Sequence, residues 1–89
     1  MQDNIKIEIF KQAIGRVFNK LRTSNNISVN KLGLEYDINK GNISRIENGS
    51  YDCHLSTAWK LAEANGIKFS EFAKLLENEL GESFTFVDV

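Results

Sequence analysis

Apolar residues recur along this chain with helical spacing from Phe10 onward. Phe10, Ala13, Ile14, Val17, Phe18 and Leu21 fall at i, i+3, i+4, i+7, i+8 and i+11, a continuous stripe down one side of a helix. The polar cluster Ser24-Asn25-Asn26 predicts where that helix ends. Ser28 then stands as the N-cap of a short second helix with Leu32 and Tyr36 inward. Asp37 breaks it, Asn39 caps a third helix, and Asn48-Gly49 closes that one, because glycine accepts the left-handed conformation that ends a helix. Ile38, just before the cap, and Ile43, at the fourth helical position, have the spacing of a hydrophobic staple. Ser56 is expected to cap a fourth helix carrying Ala58, Leu61 and Ala62. Ser70 is expected to cap a fifth, with Phe72, Ala73 and Leu76 inward and Glu71 in its first turn. Trp59 and Phe18 read as core.

The period changes in the tail. Glu82–Val89 reads ESFTFVDV, with β-branched and aromatic residues alternating with polar ones at Phe84-Thr85-Phe86, which is a strand signal. A lone strand has three fates on a helical domain: pairing with the same strand of a second chain, lying as an extended arm on the helices, or disorder. The expected fold is therefore all-α, five short helices with a possible C-terminal strand or arm. Residues 1–9 form an N-terminal extension or the start of helix 1, residues 10–80 the domain, and residues 81–89 the strand or arm.

Eighty-nine residues suffice for one domain near the lower size limit of a single core. The lone cysteine, Cys53, forms no internal disulfide, and with the only histidine, His54, it falls two ligands short of a zinc site. No metal and no cofactor is expected. No apolar run is long enough to span a membrane and no signal-peptide pattern follows Met1, so the expectation is a cytoplasmic protein. The net charge of −1 hides an asymmetry: Lys11 to Arg45 holds seven basic residues against two acids, and Ile46 to Val89 three against eight. Such a dipolar chain can present a positive face to a polyanion. An enzyme is not expected, since no histidine-based or paired-carboxylate constellation occurs and Ser44 has no nearby base.

The second and third helices are separated by about three residues, the geometry of a helix-turn-helix spanning 28–48. Gly33 supplies the small side chain that a sharp crossing needs, and Asp37 is a residue that accepts positive φ in the turn. The third helix hides only its isoleucines and displays Lys40, Gly41, Asn42, Ser44 and Arg45. Arg45 can present a bidentate fork to guanine, and Lys40 can donate to the same acceptors.

At IGRVFNKLR (14–22), ISVNKLGLEYDINKGNISRIENG (27–49) and STAWKLAEANGIKFSEF (56–72) the sequence resembles the Cro/C1-type (XRE, lambda-repressor-like) helix-turn-helix domain, over about two-thirds of the chain. The resemblance implies a sequence-specific DNA-binding transcriptional regulator, its third helix lying in the major groove of double-stranded DNA. Asn39, Lys40, Gly41, Ser44 and Arg45 would face bases, while Ser28, Val29, Asn42 and Asn48 would meet phosphates. Arg22 and Glu47 would form a structural bridge between the first and third helices. The family usually dimerises on a two-fold symmetric operator, which implies a homodimeric repressor; Phe84, Phe86, Val87 and Val89 are the candidate dimer contacts. A protein partner such as a toxin is compatible with the same resemblance. Two features depart from the family pattern: Val29 stands where glutamine is common, and Asp52 lies in the loop Ser50–His54, where proline and basic residues are common. Both point to the alternative reading, a protein-interaction module (an antitoxin or adaptor) with weak or no DNA binding.

Overall fold

The computed structural model describes residues 2–87. Five helices follow one another: α1 (Gln2–Ser24), α2 (Val29–Tyr36), α3 (Lys40–Glu47), α4 (Leu55–Ala64) and α5 (Phe69–Leu80). The helix α1, roughly 35 Å long at 1.5 Å per residue, packs against α3 and α5; α2 packs against α3, and α4 against α5. Ile14, Val17 and Phe18 of α1 meet Leu32 of α2, Ile43 and Ile46 of α3, Ala58, Leu61 and Ala62 of α4, and Phe72 of α5 in one core. Phe18 and Phe72 stack at its centre with ring centroids 4.3 Å apart. Their buried rings carry a large share of the apolar stabilisation.

Several boundaries differ from the sequence expectation. The stripe beginning at Phe10 is only part of α1, which starts at Gln2. The capping position of α4 is His54, whose side chain makes no cap bond, and that of α5 is Lys68. Ser56 and Ser70 are each the second residue inside their helix, so neither caps it. At α5 the helix start is closed from the other direction: Glu71 Oε1 accepts from the Lys68 backbone N–H at 3.2 Å.

Two aromatic residues expected inside are not there. Trp59 is 49% exposed and lies flat on Phe69, centroids 4.7 Å apart, with its Nε1–H donating to Glu63 Oε2 at 3.3 Å. It sits one position off the Ala58–Leu61–Ala62 face that enters the core, so its ring lies along the flank of α4. Tyr36, the last residue of α2, is 44% exposed. The chain turns there, and Ile38 packs against the core instead.

Among the described residues there is no strand, and the tail lies as an arm on the helices. Phe84 stacks on Phe10 at 6.4 Å, Phe86 meets Phe10 edge-on at 5.1 Å, and Lys6 Nζ donates to the Phe86 carbonyl at 3.4 Å. Val89 lies outside the described residues. Phe86 and Val87 remain exposed, as do Ile5 and Ile9 on the same end of α1.

Between α1 and α3 the backbones come close at Gly15. A Cβ there would lie 2.5 Å from the Glu47 carbonyl oxygen and 2.6 Å from that of Ile46. A second tie joins α1 to α5: Glu79 accepts from Arg16 Nε at 2.6 Å and from Lys20 Nζ at 2.9 Å.

Gly15→Ala is expected to lower stability by about 1–3 kcal/mol, the usual cost of overpacking, because the obstructing atoms are backbone; a denaturant titration with an unchanged midpoint would refute the crossing. Hydrogen bonds from Arg16 and then Lys20 hold the Glu79 carboxyl below its ordinary value of 4.5. Its contribution is therefore complete above that value and lost as pH falls through the lower folded-state pKa. Glu79→Gln should remove this acid-side slope, worth at most about 1 kcal/mol at a surface site, in melts compared at neutral and acid pH.

Candidate nucleic-acid interface

The sequence 28–50 builds two short helices whose ends are closed by their own residues. Ser28 Oγ accepts from Lys31 N at 3.1 Å and starts α2. Asp37, left-handed at φ 53° and ψ 51°, ends it, and the Ile38 N–H returns to the Gly33 carbonyl at 3.0 Å. That return brings the turn over Gly33 so closely that a Cβ would lie 2.6 Å from the Ile38 carbonyl oxygen. Asn39 Oδ1 then accepts from Asn42 N at 3.1 Å and starts α3. Gly49, at φ 78°, closes it: Gly49 N–H reaches the Ile46 carbonyl and Ser50 N–H the Arg45 carbonyl.

The result is a helix with two faces. Ile43 and Ile46 are wholly buried, and Ile38 packs beside them. On the other side Lys40, Ser44 and Arg45 are exposed, with Gly41 and Asn42 half-buried between them. Arg45 Nη2 donates to Asn42 Oδ1 one turn back. Asn39 and Ser28 are exposed, although each already spends its side-chain oxygen on a cap. Asn48 is exposed at the far end of α3, where its Oδ1 accepts from Ser50 N at 3.0 Å. Val29 is half-buried against the core, so its side chain is turned inward.

Glu47, the last residue of α3, is tied to α1 by a forked ion pair. Arg22 Nε donates to Oε2 at 2.7 Å and Nη2 to Oε1 at 2.9 Å, while Asn19 Nδ2 adds a third bond to Oε1 at 2.9 Å. The remaining arm of Arg22 donates to the Ile27 carbonyl at 2.9 Å, just ahead of α2. Both side chains are largely shielded, Arg22 15% and Glu47 8% exposed. Hydrogen bonding to Glu47 raises the Arg22 pKa above its ordinary value, against an opposing desolvation. The guanidinium is thus a permanent cation at every ordinary pH.

This bookkeeping of charge changes the meaning of the basic segment. Of its seven cations, Lys11 pairs with Glu8, Arg16 and Lys20 with Glu79, Arg22 with Glu47 and Lys31 with Glu35. Of these seven, Lys40 and Arg45, both on α3, have no carboxylate partner among the described residues. The uncompensated positive charge of this segment lies on the displayed face of one helix.

Three residues of this assembly carry no local sequence signal. Gly15 and Asn19 matter because α3 crosses them, and Lys60 because its Nζ reaches the Asp37 carbonyl at 3.2 Å from α4. Cys53 and His54 do not extend the site. Burial, reinforced by neighbouring Asp52, pushes the Cys53 thiol pKa up and keeps it protonated. Among the described residues no three His, Cys, Asp or Glu side chains gather as a metal site, and no helix is long and apolar enough to cross a membrane.

A family model described as helix-turn-helix matches residues 18–72, more than half of the chain, and includes all of α2, α3 and α4. No curated protein and no solved structure matches the chain.

Glu47→Ala leaves the Arg22 fork and Asn19 without their acceptor and should cost about 2–4 kcal/mol, near the range for breaking a shielded ion pair. A loss below 0.5 kcal/mol in chemical denaturation, the scale of a surface bridge (roughly 0–1 kcal/mol), would show that the fork does not hold α3.

Proposed function

We propose a function on the premise that the chain belongs to the Cro/C1-type (XRE-like) helix-turn-helix family, whose members are DNA-binding regulators: it is a dimeric repressor that reads a palindromic operator through α3. The observation that carries this reading is the displayed face of α3, polar throughout and bearing Lys40 and Arg45, the two cations of the basic segment that no carboxylate pairs among the described residues. An α-helix fits the major groove, where a guanidinium fork matches guanine O6 and N7. Lys40, Ser44 and Arg45 serve as base readers, with the Asn39 amide nitrogen beside them. Gly41 contributes by letting the backbone come close.

Phosphates are assigned to the helix starts and to the end of α3. The first backbone N–H groups of α2, at Val29 and Asn30, have no acceptor within the helix and suit an anion. Ser28, whose hydroxyl hydrogen is not used by its cap, joins them. Asn42 and Asn48 supply side-chain amides. Val29 offers only its backbone here, and Asp52 opposes a phosphate in the following loop, so each subunit binds weakly and the dimer is needed. We assign the dimer contact to the arm, through Phe86 and Val87, with Phe84 fixing its course on Phe10. A cytoplasmic location follows from such a role.

The test is fluorescence-anisotropy titration with the DNA upstream of the protein's own gene and with scrambled DNA, over a salt series. Preferential binding that weakens steeply with salt is expected, because phosphate contacts release counterions. Arg45→Ala should cost about 1–3 kcal/mol of discrimination. Absence of binding to either DNA at low salt would overturn the proposal in favour of a protein-interaction module.

A further inference from the structure

Arg45 belongs to a small constellation that its own role as a reader does not require. On a helix, residues three and four apart share a face, and long side chains lean back toward the N-terminus. Arg45 does this over Asn42 and Gly41. Its Nη2 donates to Asn42 Oδ1, and its Nη1 would lie 3.5 Å from a Cβ placed at Gly41. The same Cβ would come within 3.0 Å of Asn39 Oδ1, the oxygen that caps the helix. The guanidinium therefore lies over a floor without a side chain, beside a neutral acceptor, at the N-terminal half of α3.

From this placement we infer that Asn42 is a positioning residue: it aims Arg45 at a guanine in each half-site. The inference deepens the DNA-reading function and rests on it. A neutral amide suits the task better than a carboxylate. It fixes the plane of the guanidinium while leaving its positive charge uncancelled, and the other N–H donors stay free for O6 and N7. No carboxylate competes for Arg45 among the described residues. An arginine already held loses less rotamer freedom on binding. The backbone of Asn42 is itself fixed, since its N–H is bonded to the Asn39 cap. Asn42 thus acts on base selectivity through Arg45, a role distinct from gripping a phosphate.

The full-length chain and three variants, Asn42→Ala, Arg45→Ala and the double substitution, are each allowed to select from a library of random-sequence duplexes, and the bound pools are sequenced. Thermal melts of all four should coincide, because both side chains lie at the surface. The unsubstituted chain is expected to enrich a half-site with a fixed guanine, and Arg45→Ala to lose that guanine. Asn42→Ala should retain the site but weaken the guanine preference roughly two- to tenfold, the worth of one held side chain. In the Arg45→Ala background the second substitution should leave base preference unchanged, taking away only the sequence-independent share of affinity that a phosphate contact supplies. A uniform loss of affinity with the guanine preference unchanged, or the same shift of preference with and without Arg45, would overturn the positioning role and leave Asn42 a phosphate contact alone. Enrichment of no sequence by the unsubstituted chain would overturn DNA reading itself, and this inference with it.

Discussion

Everything displayed on α3 depends on how an eight-residue helix is held against α1. Alone, a helix of this length does not persist in water, since nucleation is costly and few bonds repay it. Here Ile43 and Ile46 supply the apolar hold, and two α1 features fix the geometry. Gly15 lets the α3 backbone come to contact distance, and Arg22 with Asn19 grips the Glu47 carboxylate two turns further along α1. One contact limits the distance between the axes and the other the rotation. Arg22 also reaches the Ile27 carbonyl, so one guanidinium joins α1, the approach to α2 and the end of α3.

The acidic residues acquire a role from the same geometry. Net charge alone sets this chain against a polyanion, and segment charge alone overstates its attraction. In the folded molecule most cations of the first half are neutralised in place: Glu79 of α5 takes two of them and Glu47 a third. What is left is local, two cations on a short polar face. Charge that is distributed by folding cannot be read by summing along the chain.

The parts of the fold that local chemistry decides were legible. Ser28 and Asn39 cap because their side-chain oxygens reach two or three residues ahead. Ile38 and Ile43 sit where a staple needs them, and Asp37 takes the left-handed turn. Where tertiary contact decides, the sequence misled. Ser56 and Ser70 resemble caps, yet the helices begin earlier, at positions with no capping side chain to announce them. The first turns of α1 mix isoleucines with charges and carry no start signal. Trp59 reads as core because it is large and aromatic, while its place one residue off the buried Ala58–Leu61–Ala62 face leaves it on the flank of α4. Phe84 and Phe86 have β propensity, which measures fitness for a half-buried surface as much as for a ladder; Phe10 supplied the surface. Of the site, the displayed face was visible in the pattern, whereas the crossing at Gly15 depends on carbonyls from a distant segment.

The arm on Phe10 also bears on the order in which the molecule assembles. Its contacts join residues as far as 80 positions apart, at Lys6 and Phe86. Bringing such distant segments together in an open chain carries a large closure entropy and yields only a few ring contacts in return. The packing of α1 on α5 closes almost as long a loop, with Arg16 and Glu79 63 positions apart, but it returns a buried ring stack and a doubled ion pair. The arm is therefore expected to follow the core, since α5 packed on α1 leaves only a short stretch of chain to close onto Phe10.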